Sequence, residues 1–465
     1  MAQRTVDLKS YARIVGEDNV RTIVEWRSAA DDRWHAPDLV VAPRNTEEVA
    51  AIVRQAGKDQ IPLIPAGGGT GYSGGVTSRE GGLVLDTRRM RDILSVDAVL
   101  GLAKVQAGIT VCELNDALAP EGLWWPHDPG SRGVATVGGT ISVRGIGTFF
   151  SRYGAAPDTV YGVTAVLGDG TVFRIDPRPR NQAGGYDLGS LLVAAEGTLA
   201  VIAEVAVKVW RRPQRREVRL IGFDNLETVE AFARTLLDSG LAPESFMVES
   251  RDRLTYQFEW GEVTPDHIDG VLGTARWVAI LAFAGNTETI GGHIGLATKL
   301  AARHGGAVVV DDVITRAYWA RKTEKRTLER TSQPSYHAAD ISMPGLGMVA
   351  IDRVYRSVTS MFNLRPKGLR FYVSWPAGET ICAAHIFYNE HDPHATARAH
   401  EWTRAMAHEA AALGGAGTSF LGVGVRLVKD LPTERGDDEI RMMRRVKGLF
   451  DPLHIMNPGK LLPLD

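Results

Sequence analysis

Along the chain, apolar and polar positions alternate in two different textures. From residue 37 to about residue 212, short β-rich runs are separated by turns and a few helices. Asn45 or Thr46 can cap a helix that carries Glu47 and Glu48 in its first turn and runs to about Gly57. An apolar run bounded by prolines predicts a strand over 61–65, and further strands are expected over 83–86 and 102–106. The runs 160–167 and 171–175 flank Gly168-Asp169-Gly170, a hairpin signal, and 200–210 alternates as a strand does. After Arg211-Arg212-Pro213 the pattern changes to a strand over 217–223, an amphipathic helix over 226–239, a strand over 277–283 and a helix over 287–303. A second set follows: a strand over 340–343, a helix over 348–361, strands over 369–374 and 381–388, and a helix over 393–413. The last helix, over 437–450, ends in Asp451-Pro452.

This order predicts an α+β fold, with antiparallel strands under helices on one face in the second half. A chain of 465 residues exceeds what one core supports, so two domains are expected, divided at Pro213. Composition is that of a globular protein, 44% hydrophobic and 23% charged, and the net charge of −2 provides no field for nucleic acid or acidic membranes. Two cysteines, Cys112 and Cys382, are too few for a zinc cluster or a disulfide framework. The N-terminal residues lack an apolar signal region, and no run approaches the roughly 20 apolar residues of a membrane span. A cytoplasmic protein is expected. The 50 glycines exceed the usual ~7% and they cluster, which marks tight turns or close approach of main chain to a ligand.

Three glycine clusters carry candidate chemistry. The first is Pro65-Ala66-Gly67-Gly68-Gly69-Thr70-Gly71-Tyr72-Ser73-Gly74-Gly75. It contains G-x-G-x-x-G, but the following residues 76–82 are turn-rich, so no helix opens there and a Rossmann fingerprint is excluded. What remains is a loop whose amides can form an anion nest, or a plain surface turn. The second is Asp128-Pro129-Gly130-Ser131 followed by Thr136-Val137-Gly138-Gly139-Thr140-Ile141-Ser142, which alone reads as a bend. The third, Glu196-Gly197-Thr198-Leu199-Ala200-Val201-Ile202, is a glycine turn feeding an apolar strand.

The order and spacing of these clusters, with the tail Asn457-Pro458-Gly459-Lys460, resemble the two-lobed PCMH-type FAD-binding domain of the vanillyl-alcohol oxidase group, nearest to its D-2-hydroxyacid (glycolate and D-lactate) dehydrogenase branch. The resemblance implies an FAD-binding domain over 1–212, completed by a return segment over 445–465, and a substrate-binding cap domain over 213–444. It implies that Pro65 and Gly67 to Ser73 grip the FAD pyrophosphate. It further implies that Pro129, Gly130, Ser131, Thr136, Gly138, Gly139, Ser142, Glu196, Gly197, Val201 and Ile202 line the flavin and adenine sides, and that Asn457 approaches the isoalloxazine. Where some relatives attach FAD through a histidine, this chain has Thr70, so non-covalent FAD is expected. Arg144 stands where the family has an asparagine, and is either a charge near the flavin or a surface arginine.

Metal-dependent members of that branch carry histidine-rich and Glu-His-Gly segments. Here the corresponding stretches are Ala384-His385-Ile386-Phe387-Tyr388-Asn389-Glu390-His391 and Phe420 to Lys429, the latter with glycine and valine in the ligand positions, so no catalytic metal is expected. Side chains must then orient the substrate. Strand alternation sets His385 and Asn389 on one face and Tyr388 on the other. His385 is the candidate base, or a hydrogen-bonded structural histidine. Arg321, in Tyr318-Trp319-Ala320-Arg321, is the candidate carboxylate clamp, and His337 is expected to line the same cavity.

The leading expectation is an FAD-dependent oxidoreductase acting on the CH–OH group of a small molecule, with 2-hydroxy acids among the candidates and oxygen, a quinone or a carrier protein as acceptor. Alternatives are an oxidase or dehydrogenase of an aromatic alcohol or phenol, a flavin-binding subunit of a larger dehydrogenase, and a non-redox transferase like alkylglycerone-phosphate synthase. A homodimer is a candidate assembly.

Overall fold

The computed structural model describes residues 7–22, 37–78, 81–179, 181, 183–258, 263–323, 336–389 and 391–464. Main-chain contacts divide the chain into two units: Met1–Gly145 with Ala155–Arg211 and Phe420–Asp465, and Ile146–Gly154 with Arg212–Ser419. The return segment of the first unit therefore begins at Phe420, earlier than the expected residue 445.

In the first unit, strand β1 (Leu39–Val41) leads into helix α1 (Thr46–Asp59), which is followed by β2 (Leu63–Ala66) and β3 (Leu83–Asp86). Asn45 caps α1, its side chain accepting the Glu48 N–H at 2.8 Å, and Gln60 closes it in the left-handed region. The three strands are parallel, with β3 between β1 and β2. Their Leu/Val/Ile-rich texture is what a parallel sheet buried on both faces requires, and one face packs on Val49, Ile52, Val53 and Ala56 of α1.

Strands β4 (Ile93–Asp97), β5 (Leu102–Gln106), β6 (Val160–Leu167), β7 (Val172–Ile175) and β8 (Ala200–Lys208) form an antiparallel sheet in the order β4-β5-β8-β6-β7. The expected hairpin over residues 168–170 joins β6 to β7. A short helix, α2 (Val137–Ser142), lies in the second glycine cluster, where the sequence reads as a bend. The C-terminal segment comes back to β2: Leu63 N–H donates to Ile455 O at 2.7 Å and Asn457 N–H to Leu63 O at 2.8 Å.

The second unit is a seven-stranded antiparallel sheet. Its strands are β9 (Arg215–Phe223), β10 (Ser245–Ser250), β11 (Trp277–Gly285), β12 (Ala307–Val308), β13 (Tyr336–Met343), β14 (Arg365–Val373) and β15 (Thr380–Phe387). Their order is β12-β9-β11-β10-β14-β15-β13. Between them run α3 (Leu226–Asp238), α4 (Arg251–Phe258), α5 (Thr287–Arg303), α6 (Asp312–Thr323), α7 (Met348–Met361) and α8 (Pro393–Ala412).

Alternation sorts the two faces of this sheet. Leu369, Phe371 and Val373 of β14 and Cys382, Ala384 and Ile386 of β15 join the core under α3, α5, α7 and α8, with Phe232, Ile294, Ile351 and Trp402 from the helices. Burying side chains of this size contributes about 1.5–3 kcal/mol each. The opposite face carries Glu249, Arg370, His385 and Asp340 in register, and these are buried too.

Candidate functional site

In the first unit the three glycine clusters meet around an open cleft. Pro65 and Gly67 come from the first cluster, Gly138, Gly139 and Ser142 from the second, and Glu196, Gly197, Val201 and Ile202 from the third. The first loop leaves the C-terminal end of β2 and runs against the chain before α2. A Cβ on Gly67 would lie 2.1 Å from Thr136 Oγ1, and one on Gly68 would lie 2.0 Å from the Val134 carbonyl. Only glycine permits this approach, which joins the first two clusters. Ser131 and Thr70 hydroxyls, 3.3 Å apart, extend the seam. The walls are main chain and small side chains, and Ala200, Val201 and Ile202 give an apolar floor. Walls of main chain and small side chains leave room for a flat ring system to lie against them.

Several residues expected to touch the cofactor also hold the cleft together. Thr136 caps α2, accepting the Gly139 N–H at 3.2 Å. Ser73 Oγ lies 2.7 Å from Leu421 O and 2.6 Å from Gly422 O. The Glu196 carboxylate lines the cleft but accepts the N–H groups of Val423 and Gly424 at 2.6 and 2.8 Å. Asn457, 1% exposed, donates to Gly75 O at 3.0 Å and to Glu196 O at 2.7 Å, so its amide ties the first and third clusters to the tail. The Arg144 side chain is exposed and pairs with Asp158 at 3.2 Å. Pro129 and Gly130 form a turn before α2, with Arg132 N–H donating to Pro129 O at 2.9 Å, while Gly69, Gly71 and the half-buried Tyr72 belong to the outer part of the first loop. Val76, Thr87, Ala107 and Val143 also line the cleft. Their sequence signal is weak: they only adjoin strand ends and glycine clusters.

The second unit carries a polar sheet face. Glu249 of β10 stands opposite Arg370 of β14, Arg370 opposite Ala383 of β15, and Ala383 opposite Asp340 of β13. His385 lies in the adjoining row, between Gly368 and Ala338. Glu249 is wholly buried and accepts from Arg370 Nε at 2.5 Å and from the Tyr318 hydroxyl at 2.6 Å, with Lys322 at 3.8 Å and Arg253 at 4.0 Å. Burial alone would raise its pKa, but the charges of Arg370, Lys322 and Arg253 outweigh it and bring the carboxyl from 4.5 down to about 2. The Arg370 guanidinium also reaches the Tyr372 hydroxyl, at 3.4 Å. His385 Nδ1 lies 3.1 Å from Ala383 O, so Nδ1 carries the proton and Nε2 is the basic nitrogen. Burial first, then Arg253, Lys367 and Arg370, push its pKa well below the usual value.

Of the residues read as catalytic, only His385 lies on this face. His337 pairs with Ile386, not His385, and therefore points under α8, where Nε2 meets Thr403 Oγ1 at 2.8 Å. Tyr388 packs on the same side, its ring 5.6 Å from that of His337. The expectation that His337 shares a cavity with His385 is thus corrected: strand alternation separates them. Asn389 lies past the end of β15, where its side chain accepts the His391 N–H at 3.1 Å. On α6, Tyr318 and Lys322, four residues apart, reach Glu249, while half-buried Arg321 lies beside Lys322. Sequence reading missed Glu249, Arg253, Lys322 and Arg370. The signal for Arg370 was present: it stands between Leu369 and Phe371, on the polar side of an alternating strand.

Comparisons with known proteins cover most of the chain. Residues 37–176 match the family model described as FAD binding domain, and residues 212–461 match FAD linked oxidases, C-terminal domain. The chain is 25% identical to glycolate oxidase subunit GlcD of Bacillus subtilis, over 97% of this chain and 94% of that one. It is 28% identical to a mitochondrial D-lactate dehydrogenase (cytochrome) of Arabidopsis thaliana, over 98% of this chain and 80% of that one. Among solved structures, p-cresol methylhydroxylase with substrate bound shares the fold, with a TM-score of 0.82 at 16% identity, over 98% of this chain and 96% of that one.

Proposed function

The chain belongs to the FAD-linked oxidases and uses FAD as its cofactor, and we propose that it oxidises the CH–OH group of a small 2-hydroxy acid. The observation that carries this reading is the buried polar face of the second unit, where, among the described residues, Arg253, Lys367 and Arg370 outnumber the carboxylates of Glu249 and Asp340. A buried excess of positive charge favours an anion. The relatives named for glycolate and D-lactate are consistent with a carboxylate next to the reacting alcohol.

In this reading Arg370 and Arg253 bind and orient the carboxylate, with Glu249 holding Arg370 in place. Bound FAD supplies the two-electron acceptor for the alcohol carbon. His385 Nε2 accepts the hydroxyl proton, and its low pKa keeps it deprotonated near neutral pH. A bound carboxylate offsets part of the positive field and so strengthens this base when substrate is present. Arg321 remains a candidate for the outer end of the substrate. The chemistry is proposed as metal-independent, because the segment 420–429 lacks the branch's Glu-His pair.

The test is anaerobic bleaching of the flavin absorbance by panels of 2-hydroxy acids and aryl alcohols. Bleaching by hydroxy acids, slowed in His385→Gln, supports the reading. Bleaching by aryl alcohols alone transfers it to the aromatic-alcohol class.

A further inference from the structure

Strand β14 carries one residue too many where it passes His385. Pro366 pairs with Ile386 and Gly368 with His385, so Lys367 is an insertion opposite two consecutive residues of β15. A bulge of this kind interrupts the ladder and re-aims the side chain at the extra position. Two features hold it. Gly368 has φ +115°, and a Cβ there would lie 2.3 Å from Ser250 Oγ and 3.0 Å from Arg253 Cβ. The Tyr355 hydroxyl takes up the interrupted ladder, accepting the Gly368 N–H at 3.0 Å and donating to the His385 carbonyl at 2.6 Å.

The re-aimed side chain is 4% exposed. Its ammonium sits 3.5 Å from the ring centroid of Tyr256 on α4 and 5.5 Å from that of Phe387, and the two rings meet edge to face at 5.3 Å. Aromatic faces are a favourable partner for a desolvated cation. The positive charges of Arg253 on α4 and of Lys367 and Arg370 on β14 act on the His385 imidazole. The Lys367 ammonium lies over the ring of Phe387, two residues along β15 on the same face as His385. On β13, Ala338 pairs with it, and the carboxylate of Asp340 lies one row away, engaged with the Ser419 N–H at 2.9 Å. Tyr355 of α7 touches only its main-chain carbonyl.

We propose that Lys367 is a positioning residue: the bulge and the Tyr256 ring fix its ammonium on the His385 face, where it governs the protonation of the imidazole and so makes the base effective only beside an anionic substrate. This rests on the reading of His385 as proton acceptor. With the cation in place, an uncharged alcohol meets a weak base, whereas a carboxylate-bearing alcohol cancels the field and meets a stronger one. Lys367 thereby contributes to substrate selection without touching the substrate.

The test follows the His385 resonance in histidine-labelled holoenzyme from about pH 8 down to the lowest pH at which the protein stays folded, assigned with His385→Gln. In the wild type the imidazole is expected to stay neutral until the acid end of that range. In Lys367→Met its protonation midpoint should rise by about 1 pH unit, the size of effect of removing a nearby like charge. Lys367→Arg should restore the wild-type titration. The acid limb of anaerobic flavin reduction should move with the resonance, and reduction by neutral alcohols should gain on reduction by hydroxy acids. If Lys367→Met does not fold, Tyr256→Leu, which frees the ammonium to move away, should shift the resonance in the same direction. An unchanged His385 titration in the folded variant overturns the proposal. Wild-type flavin reduction in His385→Gln would instead remove the base assignment, while the resonance would still report on Lys367.

Discussion

Glu249 is the residue on which the polar face depends. It is a fully buried carboxylate surrounded by Arg370, Lys322 and Arg253. Replacing it with glutamine keeps the shape but leaves those cations uncompensated, so Glu249→Gln should destabilise the protein by about 3–5 kcal/mol in denaturant unfolding. Its pH dependence follows from a folded-state pKa depressed from 4.5 to about 2. The stabilisation, about 3 kcal/mol, is complete above the unfolded value and fades as the pH falls from 4.5 towards 2. Acid unfolding should therefore lose this component in Glu249→Gln, seen as a flatter stability profile below about pH 4.5. At this scale the sequence was half legible. His385 could be identified by its place in an alternating strand. His337 could not be assigned to the correct face, because its strand begins at Tyr336 and the readable apolar run begins only at Asp340. Which face a side chain takes depends on pairing register, and that is set by partners distant in sequence.

Between elements, the glycine loop and the returning tail make the cradle together. Gly67→Ala should cost both fold stability and FAD affinity, since its Cβ would overlap Thr136 Oγ1. At Gly71 a Cβ meets no chain atom within 4 Å. Gly71→Ala should therefore leave the melting temperature of the apoprotein unchanged while weakening FAD by about tenfold, or ~1.4 kcal/mol, in reconstitution titrations. Asn457→Ala strands the buried carbonyls of Gly75 and Glu196 and should cost about 1–3 kcal/mol, with FAD released at lower denaturant than in the wild type. The turn-rich stretch after the first loop correctly excluded a Rossmann helix. Helix α2 escaped notice because Gly138 and Gly139 oppose helix formation by propensity. It forms because Thr136 caps it and Gly138 packs against Ala107, where a Cβ would lie only 2.7 Å away. Helix α4 was invisible for a related reason: Arg251–Phe258 is largely polar, with Leu254 fully buried, so it shows no apolar periodicity.

Over the whole molecule, the division near residue 212 was legible from the change in texture, and the antiparallel sheet under helices followed from the order of strands and helices. The early start of the return segment was not. Residues 420–424 are glycine-rich and carry no periodicity, and they belong to the first unit because their main chain bonds to Ser73 and Glu196. Among the described residues, no helix is long and apolar enough to cross a membrane. Rapid-mixing anaerobic flavin reduction by a 2-hydroxy acid, in wild type, in Arg370→Met and in the charge-balanced Arg370→Met/Glu249→Gln double variant, addresses the substrate assignment most directly. The account predicts prompt bleaching in the wild type and a loss of apparent affinity of about a hundredfold in both variants, about 2.7 kcal/mol, with non-covalent FAD still bound. Bleaching of undiminished affinity in the folded double variant, or bleaching by uncharged alcohols only, would contradict it.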